Sequence, residues 1–391
     1  MLKLKHLRRP LLTLSTAKEV LTAHLSMKVL GPRGEARFQD DARYDLRNVE
    51  EGFASRLDGS GDDTAILQRI CGAYIRAAEQ EPFVKKAYRP TGWWKEVRKA
   101  SLAPVRRALA TRDNAALHAM YGNFFRDPCS SGLIGVPYKM NKAYSGQFVD
   151  DSIRRFFLSN TLHRIDHWKA QTGNRFALRD LAGPDIGNPF GVSIEGTLIR
   201  AGTESQNYAA HRIEELLPPD NATVAEIGGG FGGMAYYLLR DRPQISYINF
   251  DVPESIALAS YYLLRSLPML TFLLYEEEAL SSQSLARFSA VLMPVFELVT
   301  VPTKSVDVAF SSHTMSSLTR TAMVAYLDEI IRMTRRFFLY VGRAAESGPL
   351  QKLIRGQYPS LSLVQQRCLE WNKQRIFSDE EVECLYQIAP S

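Results

Sequence analysis

The chain has 391 residues, of which 45% are hydrophobic and 23% charged, so it is long enough for more than one domain and too apolar for a disordered protein. Its 48 basic and 42 acidic residues leave a net charge of +6, a bias too small to predict nucleic-acid binding. Four cysteines without a CxxC pair argue against a disulfide framework or zinc site and favour a cytoplasmic protein. We expect neither a signal peptide nor a membrane span, since no uncharged apolar run approaches the roughly 18 residues that a span needs.

Three segments follow one another along the chain. Residues 1–62 are basic and then rich in Gly, Asp, Arg and Ser, which predicts a partly flexible N-terminal segment. Apolar residues recur at helical spacing over 63–182, as in Ile66, Ile70 and Tyr74, and predict a helical N-terminal or cap domain. A loop rich in Gly, Pro and Asn then opens the segment 183–391.

Short apolar runs alternate with helical patterns in this last segment. The runs are Thr223 to Ile227, Ile245 to Phe250, Val306 to Phe310 and Phe337 to Val341. Because strands that alternate with helices form parallel βαβ units, 183–391 is predicted to be an α/β domain with a Rossmann-like, mostly parallel sheet.

A glycine-rich turn follows the first of these runs. Gly228, Gly229, Gly230 and Gly232 lie between the strand and a helix, where a turn visits positive φ and a ligand must approach the backbone closely. Asp251 ends the second strand, at the position where an acid can accept hydrogen bonds from both hydroxyls of a ribose. Strand, glycines, helix, strand and acid in this order predict a nucleoside-binding site.

Two cofactors remain compatible with this pattern. Gly228, Gly230 and Gly233 match the dinucleotide spacing GxGxxG, which would suit NAD. Glu226 lies two residues before the first glycine, and a carboxylate there suits the cationic methionine end of S-adenosylmethionine better than a pyrophosphate. The sequence therefore favours S-adenosylmethionine, held by Glu226, the four glycines and Asp251.

Several segments resemble the sugar O-methyltransferases, a family of class I, S-adenosylmethionine-dependent methyltransferases. The resemblance covers roughly residues 120 to 345. It rests on Gly187-Asn188-Pro189-Phe190-Gly191, Ile194-Glu195-Gly196, Tyr208-Ala209-Ala210-His211-Arg212-Ile213, Glu226 to Gly233, Phe250-Asp251-Val252-Pro253-Glu254 and Leu292-Met293-Pro294.

The resemblance implies a seven-stranded, mostly parallel sheet with a helical cap, and methylation of a hydroxyl on a sugar or sugar-bearing metabolite. Pro294 is assigned with the glycines and Asp251 to the cofactor site. After the fourth strand the family pattern has a Glu-Met pair, whereas this chain reads Ser311-Ser312-His313-Thr314-Met315-Ser316-Ser317-Leu318. No role is therefore carried over for that carboxylate.

An alcohol becomes a good nucleophile only when a base removes its proton. His313 lies just past the strand that ends at Phe310, at the edge of the sheet where α/β folds place their ligands, and is the first candidate. His211 is the second candidate. Tyr208, one helical turn before it, is predicted to contact the methionine carboxylate of the cofactor. A histidine that merely packs or caps a helix is the competing interpretation for both.

Asn188 and Glu195, in the loop that opens the last segment, are predicted to hydrogen-bond substrate hydroxyls, although turn formation explains such residues equally well. His163, Asp166 and His167 share a helical face that could bind a metal ion, but no general-base Glu lies between the histidines, and no metal site is assigned. A divalent ion such as Mg²⁺ could also activate the hydroxyl, but nothing in the sequence fixes its ligands.

Two other functions remain open: a nicotinamide-dependent oxidoreductase that uses the same turn, and a degenerate methyltransferase fold that serves as an interaction protein. The expected partner is a small-molecule or glycan sugar, with no nucleic acid. A homodimer is left open, as are the identity of the sugar and the hydroxyl that is methylated.

Overall fold

The computed structural model describes residues 28–57, 62–134, 151–373 and 380–389. Residues 1–27 and 58–61 of the predicted N-terminal segment lie outside this part. Its remaining residues form a helix at 28–38 (α1) and the helix Arg47–Phe53 (α2), and Leu30, Phe38 and Val49 are buried. The described part of 1–62 therefore packs onto the folded body, because regularly spaced apolar residues give it a buried face, and the partly flexible segment stays a prediction.

The segment 63–182 is mainly helical, as predicted. Asp113 caps one of its helices by accepting a hydrogen bond from the Ala116 N–H at 3.0 Å. No helix within the described ranges is long and apolar enough to cross a bilayer. The helices are α3 Thr64–Gln80, α4 Gly92–Lys99, α5 Ala103–Thr111, α6 Asn114–Tyr121 and α7 Asp151–Gln171, with 3₁₀ turns at Lys86–Tyr88, Pro128–Ser130 and Leu178–Leu181.

A short hairpin precedes the main sheet. Its strands, β1 Gly191–Ile194 and β2 Thr197–Arg200, pair antiparallel and form a separate two-stranded sheet. The strands of the main sheet are β3 Thr223–Ile227, β4 Ser246–Asp251, β5 Phe272–Leu274, β6 Ala290–Pro294, β7 Val306–Ser312, β8 Thr334–Arg343, β9 Leu361–Leu369 and β10 Glu381–Ile388.

The main sheet has the order β5-β6-β4-β3-β7-β8-β10-β9. All pairs from β5 to β8 are parallel, and β10 is antiparallel to both of its neighbours. The predicted α/β architecture with a mostly parallel sheet is confirmed, but the sheet has eight strands rather than seven. The strand count differs because the short β5 pairs with β6 and lengthens one edge.

Helices connect the strands. After β3 the chain builds β4, β5 and β6 on one side of the sheet and then crosses to β7 on the other, so the strand order reverses at β3 and β7. Ligands of open α/β sheets bind outside the carboxyl ends of the strands at such a switch point. The helices are α8 Thr203–Glu214, α9 Gly233–Asp241, α10 Pro253–Ser266, α11 Ser282–Arg287, α12 Thr314–Ser317, α13 Arg320–Met333 and α14 Ala344–Gln357, with a 3₁₀ turn at Val295–Thr300.

The buried apolar residues of the helical half and of the sheet form one continuous core that includes residues from Leu30 to Ile388. The boundary predicted at residue 183 is therefore not marked by a gap in the core, and the division into domains stays a prediction. The helical half is packed directly against the elements that carry the glycine turn, as the aromatic contact between Phe125 and Phe231 illustrates.

Candidate cofactor and active site

The glycine turn joins the end of β3 to α9. Gly228, Gly230 and Gly232 all have left-handed backbones, with φ of 82°, 58° and 89°. A Cβ on Gly228 would overlap the side chain of Thr314, and one on Gly230 would lie 2.6 Å from the carbonyl oxygen of Leu133. Glycine is therefore required here both for its conformation and for the close approach of two other segments.

Asp251 ends β4 beside this turn. Its carboxylate accepts hydrogen bonds from the backbone N–H groups of Gly230 at 3.0 Å and Val252 at 2.7 Å, and from the hydroxyl of Ser255 at 2.7 Å. Burial raises the pKa of Asp251 to about 6, against the lowering effect of the Ser255 hydrogen bond. The side chain is thus ionised at neutral pH and tied to the third glycine of the turn.

The carboxylate of Asp251 retains hydrogen-bond acceptor positions for a ligand. An ionised carboxylate has about four acceptor positions, and the three donors above use three of them. The Ser255 hydroxyl also lies 3.1 Å from the carbonyl oxygen of Gly230, so its rotation frees a second position. Two free acceptors suit the two hydroxyls of a ribose. Pro294, at the end of β6, is the register neighbour of Asp251, so the structure brings these two predicted residues together.

Glu226 has a hydrogen-bond partner within the protein. Its side chain is 3% exposed, and its carboxyl accepts a short hydrogen bond from the hydroxyl of Tyr247. Burial raises the pKa of Glu226 to about 7, so at neutral pH the group carries only part of a negative charge. The side chain thus points to Tyr247 on the neighbouring strand β4, a contact that the sequence pattern did not indicate, and its role toward the cofactor stays a prediction.

Asn249 is a site residue that the sequence analysis missed. It is the register neighbour of Glu226 on β4 and is fully buried. Its amide lies against Gly229, where a Cβ would be 2.7 Å from both of its polar atoms. Within the described residues neither amide atom has a hydrogen-bond partner. The only sequence signal was an amide in an otherwise apolar strand.

His313 lies at the same edge of the sheet as the glycine turn. It follows β7 directly, has a left-handed φ of 62°, and donates its backbone N–H to the carbonyl of Val341 at 2.8 Å. The next residue, Thr314, packs against Gly228. The His313 ring is 44% exposed, and its Nε2 lies 3.6 Å from Oε1 of Glu381. The first candidate base therefore lies beside the predicted cofactor site, with a carboxylate near it that the sequence analysis did not identify.

His211, the second candidate base, lies elsewhere. α8 and α9 run in the same direction: Gln206 near the start of α8 contacts Gly233, and Glu214 at its end pairs with Arg242. His211 is close to this remote end, stacked on Phe176 at 3.8 Å with Nδ1 3.3 Å from Glu214. The helix α8 carries His211 away from the glycine turn, and a catalytic role for it stays a prediction.

Tyr208 is also bound within the protein. It is 2% exposed, and its hydroxyl donates a hydrogen bond to Glu383 of β10 at 2.9 Å. Arg212 donates to the same carboxylate at 3.2 Å. Tyr208 therefore fastens α8 to the sheet through its hydroxyl, and its contact with a methionine carboxylate stays a prediction.

The two predicted substrate-binding residues have different surroundings. Asn188 is 3% exposed and uses both ends of its amide: Oδ1 accepts from the Arg56 N–H at 2.7 Å, and Nδ2 donates to Asn123 at 2.8 Å. It thus has the structural role that is usual for Asn in turns, and its contact with substrate stays a prediction. Glu195 is exposed at the tip of the β1–β2 hairpin with φ of 51°, and its role stays a prediction.

The histidines of α7 contact backbone groups instead of converging on one point. His163 Nε2 lies 3.0 Å from the carbonyl of Glu370, His167 Nε2 accepts the Glu370 N–H at 3.2 Å, and Asp166 pairs with Arg43 at 2.9 Å. In the described ranges, no group of three or more His, Cys, Asp or Glu residues is arranged to hold a metal ion.

No protein-family model matches the chain, and no curated protein matches it. Among solved structures, it is similar to a SAM-dependent methyltransferase from Aquifex aeolicus (11% identity, 46% of this chain and 89% of that chain covered, TM-score 0.33). It is also similar to the N-methyltransferase NodS from Bradyrhizobium japonicum WM9 in complex with S-adenosyl-L-homocysteine (11% identity, 57% of this chain and 98% of that chain covered, TM-score 0.33). A third similar structure is the [4+2]-cyclase SpnF (10% identity, 47% of this chain and 81% of that chain covered, TM-score 0.34). At these TM-scores the similarities carry no argument, and the fold assignment rests on the strand order itself.

Proposed function

We propose that the chain is an S-adenosylmethionine-dependent O-methyltransferase. The observation that carries the proposal is the arrangement at the switch point of the sheet. There, the carboxylate of Asp251 is tied to Gly230 and keeps acceptor positions for a ribose, and His313 lies next to the residue that packs on Gly228. A nucleoside cofactor and a base would thereby meet at one edge of the sheet.

Two features favour this cofactor over a dinucleotide. A backbone carbonyl, that of Leu133, lies against Gly230, and its partial negative charge would oppose a pyrophosphate but not a sulfonium cofactor. The sheet also departs from the doubly wound dinucleotide fold, because the antiparallel β10 separates β8 from β9. These features replace Glu226 as the grounds for choosing between the two cofactors.

Each residue of the site would have a separate role in methyl transfer. Bound S-adenosylmethionine would supply an electrophilic methyl group on sulfur. Asp251 would hold the ribose, and the free N–H groups at the start of α9 would face polar groups of the ligand. His313 would accept the proton of the substrate hydroxyl as the oxygen–carbon bond forms and the carbon–sulfur bond breaks.

The substrate that we propose is a hydroxyl of a sugar or sugar-bearing metabolite. Support for the sugar comes from the resemblance of the segments around Asn188, Tyr208 and Asp251 to sugar O-methyltransferases. Asn188 and Glu195 remain the predicted substrate-binding residues, and of the two Glu195 is the exposed one. A screen of sugar acceptors against methyl transfer is therefore the second experiment, after cofactor binding is established.

Calorimetry with S-adenosylmethionine, S-adenosylhomocysteine and NADH tests the cofactor. For Asp251→Asn we expect the affinity for S-adenosylhomocysteine to fall by roughly 10- to 150-fold, since a hydrogen bond to a charged acceptor contributes ~1.5–3 kcal/mol. Asp220→Asn, an exposed acid at the opposite edge of the sheet, is the matched control and should bind like the wild type. Binding of NADH alone would overturn the methyltransferase proposal in favour of an oxidoreductase, and binding of none of the three would favour an interaction protein.

A further inference from the structure

We infer that Glu381 is the positioning residue of the candidate base His313, and that the segment 370–372, docked on α7 of the helical half, holds Glu381 in place. This segment is called the strap. The inference rests on the proposed function for the role of His313, but the contact itself can be tested without methyl transfer.

Glu381 is suited to orient the His313 ring. It is the first residue of β10, its side chain is 12% exposed, and its Oε1 lies 3.6 Å from His313 Nε2. This separation is longer than a hydrogen bond but within ion-pair range, and catalytic contacts often tighten only when substrate is bound. His313 itself has a left-handed backbone, a conformation that costs a non-glycine residue free energy and is often found at functional sites.

Asn372 holds the Glu381 carboxylate from the other side. Its Nδ2 donates to the same oxygen, Oε1, at 3.2 Å, and its own Oδ1 lies 3.4 Å from a guanidinium nitrogen of Arg164. Arg164 is nearly buried and forms an ion pair with Glu204 at 3.1 Å. The carboxylate near His313 is therefore connected through the strap to a buried ion pair between α7 and α8.

The strap is fastened to α7 by further contacts. The Glu370 carbonyl and N–H contact His163 at 3.0 Å and His167 at 3.2 Å. Trp371 is 1% exposed, with the His167 ring in edge contact at 4.6 Å and the Arg164 guanidinium 5.5 Å from its ring centre. An aromatic side chain buried this deeply anchors the strap, because exposing it would cost several kcal/mol.

The position of Glu381 affects which ring nitrogen of His313 carries the proton. A carboxylate beside Nε2 favours the neutral tautomer with its proton on Nε2, which leaves the lone pair on Nδ1 to accept a proton. After that transfer, the negative charge of Glu381 stabilises the imidazolium that forms. Glu381 would thus act through His313 without touching the substrate.

Nitrogen-15 NMR of the histidine rings tests the inference in the whole protein, with the His313 signals assigned from their loss in His313→Gln. For Glu381→Gln, which keeps the size and removes the charge, we expect the ratio of the Nε2–H to the Nδ1–H tautomer to fall about tenfold, as the loss of a charge-assisted contact predicts. Asn372→Ala should move the ratio in the same direction by a smaller factor. Glu380→Gln, an exposed neighbour, is the matched control and should leave it unchanged.

An unchanged ratio in Glu381→Gln, or a wild-type ring that already carries its proton on Nδ1, would overturn the inference. Calorimetry with S-adenosylhomocysteine on the same variant is expected to give wild-type affinity, since Glu381 is not part of the proposed cofactor site. If the wild type binds no S-adenosylhomocysteine, the proposed function fails while the tautomer ratio still decides whether Glu381 orients His313.

Discussion

Gly229 lies between Gly228 and Gly230 in the turn but has no positive φ, so space rather than backbone conformation excludes a side chain there. A Cβ at this position would lie 2.7 Å from both polar atoms of the Asn249 amide, closer than real Cβ contacts come. Asn249 is fully buried on the middle of β4 and has little room to withdraw. The glycine turn and β4 are therefore complementary in shape where Gly229 meets the Asn249 amide.

For Gly229→Ala we expect a loss of about 1–3 kcal/mol in the free energy of unfolding, the usual range for overpacking. In the Asn249→Ala background the same substitution should cost much less, because the amide that it meets is gone. Urea unfolding of the four proteins of this double-mutant cycle measures the difference. Equal costs in both backgrounds would contradict the proposed packing.

Glu226 makes stability depend on pH. Its pKa is raised from 4.5 to about 7 in the folded protein, so the folded state binds more protons than the unfolded state between these values. The contribution of Glu226 to stability therefore falls as the pH rises through this window, by on the order of 3 kcal/mol at about 1.4 kcal/mol for each pKa unit.

Glu226→Gln removes this dependence because glutamine has no proton to lose. We expect the stability of the variant, relative to the wild type, to increase from pH 5 to pH 7 and to level off above it. Urea unfolding at several pH values measures the difference between the two proteins. A constant difference across this range would show that Glu226 does not titrate with a raised pKa.

At the scale of the elements, we expect acid to weaken the contact between the strap, residues 370–372, and α7. Burial lowers the pKa of His167 to about 4 and also lowers that of His163. His167 accepts a hydrogen bond from the Glu370 N–H only while its ring is neutral, and Arg164 and Lys373 add positive charge nearby. Because the folded pKa lies below the ordinary value of 6.5, this stabilisation is complete above pH 6.5 and is lost as the pH falls toward 4.

We expect the protection factor of the Glu370 amide against hydrogen exchange to fall as the pH is lowered from 6.5 to 4. A His167→Gln variant, whose side-chain oxygen can still accept the bond but does not titrate, should lose this dependence. Hydrogen exchange followed by NMR measures both proteins, with protection factors correcting for the intrinsic effect of pH. A wild-type factor that stays constant would contradict the role of His167.

At the scale of the whole molecule, a buried ion pair joins the helical half to the edge of the sheet that carries the glycine turn. The guanidinium of Arg98 on α4 contacts both oxygens of Glu254 on α10, at 2.6 and 2.9 Å, and Glu254 is 3% exposed. Glu254 follows Asp251 closely in sequence, so this contact holds the helical half beside the proposed ribose site. Trp94 donates its indole N–H to the same carboxylate at 3.2 Å.

For Arg98→Ala we expect a loss of about 3–5 kcal/mol in the free energy of unfolding, because Glu254 would remain buried without a counter-charge. The double variant Arg98→Met with Glu254→Gln should recover most of this loss, since the amide is neutral and can still accept the Trp94 bond. Arg47→Ala, which removes an ion pair of an 86% exposed arginine, is the control and should cost less than about 1 kcal/mol. Urea unfolding measures all three, and a cost for Arg98→Ala as small as the control would contradict this role.

Much of the fold could be predicted because the signals that specify it are local. The apolar run Thr223 to Ile227 is β3 with the same bounds, and the run that ends at Phe310 lies within β7. Strand period and glycine content depend on neighbouring residues, so a sequence pattern records them directly. The sequence analysis did not predict the short β5, because three residues are too few to show a strand period.

The surroundings of the predicted site residues depend on residues distant in sequence. Glu226 accepts a hydrogen bond from Tyr247, Tyr208 donates one to Glu383, and Asn188 is hydrogen-bonded to Arg56 and Asn123. The residue types of Glu226, Tyr208 and Asn188 suit their predicted roles. The partner that each of them has in the folded protein depends on which elements pack together, and no local pattern records that.

The sequence by itself determined the α/β architecture, the glycine turn and the position of an acid at the end of the second strand, because these follow from backbone conformation and strand period over a few residues. Only the tertiary structure decided which side chains are charged, free or paired. It did so by burying Glu226, by inserting β10 antiparallel between β8 and β9, and by bringing Glu381 to His313. Protonation and pairing depend on the local dielectric and on contacts across the fold, and both exist only once the chain is packed.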